Sequence, residues 1–117
     1  QIIFDLPKEI ENCQLSYTKL WSRDTVYFAS EVVNVVAAST DELGYSSHSM
    51  FSGAGHDAQF IAGYIPSTMI FVPSAKGYSH REDEYTTFEE CSKGADVLVN
   101  AVVKVANLKI PSRKTTV

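Results

Sequence analysis

The sequence has 117 residues, 44% hydrophobic and 21% charged, with a formal net charge of −4, the size and mix of one globular domain able to bury a core. No dense Lys/Arg run occurs, so the clustered basic face that nucleic acid needs is missing and no nucleic-acid partner is expected. The longest apolar stretches, Val32 to Ala38 and Val97 to Ala106, are broken by Asn34, Asn100 and Lys104, so no membrane segment is expected either.

Gln1 opens the chain without a Met, a basic n-region or an apolar h-region, which reads as an imposed boundary or as a piece of something longer; the missing Met favours the piece. Cys13 and Cys91 belong to no CxxC or Cys/His cluster, so they are expected to be packing thiols in a reducing, cytoplasmic setting.

In chain order, Ile2, Ile3, Phe4 and Leu6 lead into Pro7, the tail of an element followed by a turn. Cys13 to Trp21 alternates loosely, with Leu15, Tyr17 and Leu20 among polar residues, and predicts a half-exposed strand ending near Arg23 and Asp24. Val32, Val33, Val36, Ala37 and Leu43 recur at helical spacing ahead of Gly44, which predicts a helix over 29–43 that must gain its stability by burying its valines.

Ser52 to Gly55 is a small-residue turn, and Asp57 to Tyr64 predicts a short helix with Gly55, His56 and Asp57 at its mouth. The run Met69-Ile70-Phe71-Val72, framed by Pro66 and Pro73, predicts a strand buried on both faces, followed by a loop from Ser74 to Tyr85. Thr87 and Glu90 form a capping box, and Cys91, Ala95, Leu98, Val99, Val102, Val103 and Ala106 define the apolar face of a helix that ends before Pro111. The order is α/β material, yet a strand buried on both faces needs neighbours along both edges, and this chain does not supply them. Left alone, such edges predict self-association.

Two segments could carry chemistry: Ser52-Gly-Ala-Gly-His-Asp-Ala-Gln59 and Gly77-Tyr-Ser-His-Arg-Glu-Asp-Glu-Tyr85. Glycine permits close backbone approach to a ligand, and a helix opening after Gly55 would offer free N–H groups to an anion. His80 falls just past the C-terminal end of the expected strand, the edge where open α/β sheets place binding crevices. Glu82, Asp83 and Glu84 could orient its second nitrogen or ligate a metal directly. The plainer readings are a solvated loop for Arg81 to Glu84, an unremarked surface residue for His48, and packing for Trp21.

Taken together, Ser52 to Ala58, Pro66-Ser-Thr-Met-Ile-Phe-Val-Pro-Ser74, Gly77-Tyr-Ser-His80 and Glu84-Tyr-Thr86 resemble the last segment of the N-carbamoyl-L-amino-acid hydrolase family. That family includes β-alanine synthases (β-ureidopropionases), allantoate amidohydrolases and ureidoglycolate hydrolases, among the zinc aminoacylases and carboxypeptidases. The resemblance runs from about Leu15 to Ala106. It implies the C-terminal part of a zinc-aminopeptidase-like catalytic domain, a mixed sheet with helices on both faces, incomplete on its own. The implied divisions are 1–24 as the end of a lid and dimerisation region with a re-entry strand, 25–110 as catalytic domain and 111–117 as tail.

The resemblance also implies roles. His80 would be a metal ligand in a two-metal centre of Zn or Mn, with Glu84 and Asp57 supporting the site. Gly55, His56 and Gln59 would contact the substrate, His56 serving catalysis by stabilising the tetrahedral intermediate. The other metal ligands and the glutamate base would lie in a missing N-terminal segment, and no Asp-x-Arg substrate anchor is found, since Asp5-Leu6-Pro7 has proline in the arginine's place. The function implied is metal-assisted hydrolysis of a ureido amino acid such as N-carbamoyl-β-alanine, releasing ammonia and carbon dioxide. The complete enzyme would be a cytoplasmic homodimer and the isolated chain inactive. The competing reading is a truncated, non-catalytic module that keeps its fold to bind a partner chain.

Overall fold

The computed structural model describes residues 9–10, 12–14, 16 and 18–108. The apolar patch before Pro7 and the tail at 111–117 lie outside them. Near the start, β1 (Glu9–Ile10) pairs antiparallel with β2 (Cys13–Gln14), Glu9 opposite Gln14 and Ile10 opposite Cys13. Asn12 turns the chain between them at φ 62°, a left-handed conformation that asparagine tolerates better than most residues.

The strand expected to run on to Trp21 does not form: 18–29 has no regular structure. Leu20 and Trp21 are 87% and 75% exposed, and a half-buried strand needs both a face to bury and a hydrogen-bonding neighbour. Trp21 does not pack inward either. The Arg23 guanidinium lies over the Phe60 ring, 3.7 Å from its centroid, and 5.8 Å from the Trp21 ring.

α1 (Ser30–Glu42) matches the valine periodicity within a residue at each end, and Val32 is buried. Its end is a Schellman motif: Gly44, at φ 71°, donates its N–H to Asp41 O at 3.0 Å, and Tyr45 donates to Thr40 O at 3.1 Å. Glycine is needed there because a Cβ would oppose the left-handed turn. Thr40 Oγ1 donates back to Val36 O, whereas the fully buried Ser39 hydroxyl has no partner among the described residues.

α2 (Ala58–Ile61) is shorter than the expected 57–64 and continues as turns, Tyr64 and Ile65 both donating to Ile61 O. The segment 66–74 that follows is not a strand; among the described residues the sheet is β1 with β2 alone. Neither its ladder partners nor its expected burial is found among the described residues: Met69 and Ile70 are half-buried, and Phe71 and Val72 are 47% and 37% exposed. Ser67 O accepts the Ala29 N–H at 3.2 Å, and Val72 presses on the backbone of the last helix at Gly94, where an added Cβ would overlap Val72 Cγ1.

α3 (Phe88–Asn107) begins where the capping box predicts: Thr87 Oγ1 accepts the Glu90 N–H at 3.2 Å. The Glu90 carboxylate does not close the box. It faces Lys93 at 3.5 Å, and Lys93 also pairs with Glu89 at 2.9 Å. α3 lies against α1, tied by Lys104 to Glu42 at 2.6 Å and by the Tyr45 hydroxyl to Asp96 at 3.1 Å.

The buried apolar residues are few and small: Ala29, Val32, Ala62, Val97 and Ala101. Much of the α3 face stays open, with Leu98, Val99, Val102 and Val103 all more than half exposed. An apolar groove of about 870 Å³ runs between α1, α3 and 66–72, walled by Val36, Ile61, Ile70, Val72, Leu98 and Val102. Both cysteines are free and exposed, which corrects their expected packing role, although Cys91 borders the groove. No helix among the described residues is long and apolar enough to cross a membrane.

Candidate functional site

His56 sits at the foot of α2 and is half-buried. Its Nε2 lies 2.8 Å from Ser52 Oγ, which also accepts the Ala54 N–H at 3.2 Å. On another side, Phe71 meets the imidazole edge-to-face, centroids 5.7 Å apart at 62°. The small residues of Ser52-Gly-Ala-Gly allow the chain to fold back over four residues so that a serine reaches a histidine. Phe71 belongs to the same apolar run as Val72, so the crossing over Gly94 also delivers the aromatic wall of the site.

Gly55 is exposed, and nothing lies within 4 Å of where its Cβ would be, so the backbone there is open. The expected cradle of free helix N–H groups is not there. Gln59 donates to His56 O, and Phe60 and Ile61 both donate to Asp57 O, so a four-residue helix spends most of its N–H groups on its own turn. Asp57 occupies the N-cap position without its side chain capping, and Gln59 is half-buried on α2. Polar recognition in this corner therefore rests on side chains and on the open backbone at Gly55.

His80 is carried by a closed loop. At its base, Ala75 donates to Tyr85 O at 2.7 Å and the Thr86 hydroxyl donates to Pro73 O at 3.0 Å. Within it, a 3-10 turn over Ala75–Gly77 contains two left-handed residues, Lys76 at φ 58° and Gly77 at φ 69°. His80 itself is left-handed at φ 57°, and its main-chain N–H donates to Glu84 Oε2 at 2.7 Å. Glu84 thus holds the backbone under His80, whereas the sequence had suggested that an acid would hold the second ring nitrogen.

The neighbouring charges are used elsewhere. Arg81 makes a two-point pair with Asp83 at 2.7 and 2.9 Å and stacks on the Tyr78 ring 3.9 Å from its centroid. His80 is exposed, and its ring makes no hydrogen bond to another described residue. As a metal donor it fits as a single ligand. No group of three or more His, Cys, Asp or Glu able to hold a metal forms among the described residues. Ser52, Phe71 and the main-chain role of Glu84 were not singled out from the sequence. The i, i+4 spacing of Ser52 and His56 across glycines was the available signal.

The model of peptidase family M20/M25/M40 matches residues 8–104. The chain is 42% identical over 85 residues to an N-carbamoyl-L-amino-acid amidohydrolase of Rhizobium meliloti, covering 73% of this chain and 20% of that protein. It is 45% identical over 65 residues to an allantoate amidohydrolase of Bacillus subtilis, 56% of this chain and 16% of that protein. A ureidoglycolate hydrolase of Arabidopsis thaliana is 35% identical over 94 residues, 80% of this chain and 20% of that protein. The chain thus spans about a fifth of the length of the curated relatives it matches.

Proposed function

Because this chain belongs to peptidase family M20/M25/M40, we propose that it is the C-terminal part of a metal-dependent amidohydrolase that cleaves the linear C–N bond of N-carbamoyl amino acids or allantoate. The family implies an α/β catalytic domain; a mixed sheet with helices on both faces is our proposal for the whole of it. The observation that carries the reading is the family match over residues 8–104, together with 42% and 45% identity to relatives named for that substrate class.

Divalent metals, which the family generally uses, supply the Lewis acid that polarises the scissile carbonyl and activates water. His80 offers one imidazole to that centre, with its backbone fixed by Glu84. His56, held by Ser52 and Phe71, offers a hydrogen bond to the substrate carboxylate or to the oxyanion that develops on attack. Gly55 leaves the substrate room against the backbone, and Gln59 and Asp57 flank it.

The test is a chimera in which residues 8–104 replace the matching segment of the Rhizobium meliloti relative. It is assayed with N-carbamoyl-β-alanine, N-carbamoyl-L-amino acids and allantoate in the presence of Zn²⁺ or Mn²⁺. Turnover that His80→Ala abolishes is the expected result. A folded, metal-loaded chimera with no turnover of any ureido substrate overturns the reading in favour of a non-catalytic module.

A further inference from the structure

The imidazole of His56 has two nitrogens, and which one carries the proton decides whether the ring meets a ligand as a donor or as an acceptor. Ser52 Oγ is 2.8 Å from Nε2, and the same oxygen already accepts the Ala54 N–H at 3.2 Å. If Nε2–H also donated to it, the hydroxyl would accept twice and its own proton would find no partner among the described residues. If the hydroxyl donates to Nε2, it accepts once and donates once within the turn. Phe71 packs edge-to-face on the ring, centroids 5.7 Å apart.

We propose that Ser52 is a positioning residue that holds neutral His56 as the Nδ1–H tautomer. The ring then presents a hydrogen-bond donor, and no basic nitrogen, to a ligand that meets it at Nδ1. That polarity suits an anion: the substrate carboxylate, or the oxyanion formed on attack at the carbamoyl carbon. It does not suit a general base, because the acceptor nitrogen is already taken. This inference rests on the reading of His56 as a substrate contact and sharpens it, since the proton needed at the site is placed by a serine outside the direct contacts.

Long-range ¹H–¹⁵N spectra of the ¹⁵N-histidine-labelled chain report the tautomer directly. At a pH where the ring is neutral, the native chain and Ser52→Thr should show the Nδ1–H form. Ser52→Ala should relax toward the Nε2–H form that imidazole prefers in water. An Nε2–H ring in the native chain, or an Nδ1–H ring that survives Ser52→Ala, overturns the proposal.

In the active chimera, Ser52→Ala should lower kcat/KM about tenfold, as for the loss of one well-placed hydrogen bond, and Ser52→Thr should restore it. A rise in KM alone identifies the carboxylate as the partner, and a fall in kcat identifies the oxyanion. An active chimera that tolerates Ser52→Ala unchanged also overturns the proposal. A chimera inactive with Ser52 intact counts against the proposed function, while the spectra still decide the tautomer.

Discussion

The Glu84 carboxylate accepts the main-chain N–H of His80 at 2.7 Å while His80 sits at φ 57°. A left-handed non-glycine residue costs roughly 1–2 kcal/mol, so something must hold it, and an acceptor on its N–H does so directly. What Glu84 needs for this is an oxygen in the right place. Glu84→Gln should therefore keep the loop, whereas Glu84→Ala should release it and speed amide exchange at His80 by roughly tenfold. If Gln behaves like Ala, the carboxylate's charge matters beyond its geometry.

Gly94 is where the 66–74 segment crosses α3. Glycine inside a helix costs about 1 kcal/mol relative to alanine, so Gly94→Ala would stabilise an isolated helix. Here the new methyl would overlap Val72 Cγ1, on a β-branched side chain with little rotamer freedom. Overpacking costs about 1–3 kcal/mol, so the net effect should be a loss of about 1 kcal/mol. In the Val72→Ala background the sign should reverse. A urea-denaturation double-mutant cycle measures that coupling.

What the sequence revealed depended on whether a signal was local. Thr87 with Glu90 and Gly44 after the valine-rich run each act within one helix, and both appear within a residue or two of expectation. The face of α3 expected to be buried is not: Val97 and Ala101 are its buried residues, and Leu98, Val99, Val102 and Val103 stay more than half exposed. Met69 to Val72 departs in the same way. An apolar run says only that a segment prefers burial, and a strand is a relation between segments; the described chain offers this one neither a ladder nor cover for Phe71 and Val72. Two histidine segments were legible as candidates, but their geometry was not, because the partners of His56 and His80 are a loop hydroxyl and a side chain reaching a main-chain N–H.

Ser39 on α1 is fully buried and its hydroxyl has no partner among the described residues. An unsatisfied buried donor costs about 1–3 kcal/mol, and alanine also has the higher helix propensity. Ser39→Ala should therefore stabilise the chain by about 1 kcal/mol, read as a higher urea midpoint at unchanged slope. A destabilised variant would mean that the hydroxyl has a partner after all.

The first turn of α3 should give a small pH dependence. The hydrogen bond from Lys93, then its charge, lowers Glu89 below the ordinary carboxylate value, and the bond to Glu89 raises Lys93. A lowered acid contributes stability above its unfolded value and loses it as pH falls through the folded one. A raised base contributes below its unfolded value and loses it as pH rises through the folded one. Glu89→Gln should thus destabilise near neutrality and converge with the native chain in acid. Because both side chains are solvated, about 1 M salt should shrink the difference, measured as thermal midpoints by circular dichroism.

His80 supplies an exposed imidazole without two further metal-ligating side chains grouped around it among the described residues. Among the described residues, the contacts that hold α1 and α3 together are side-chain packing, caps and the Lys104–Glu42 pair. Chelation should therefore leave its circular dichroism and melting midpoint unchanged. Added Zn²⁺ should bind weakly and be weakened further by His80→Ala, because one ligand gives none of the entropic advantage of a preformed tetrahedral set. In the chimera the other ligands come from the rest of the enzyme, and His80→Ala should there remove one of two metals by atomic absorption while leaving the fold intact. Retention of both metals in that variant would exclude His80 as a ligand.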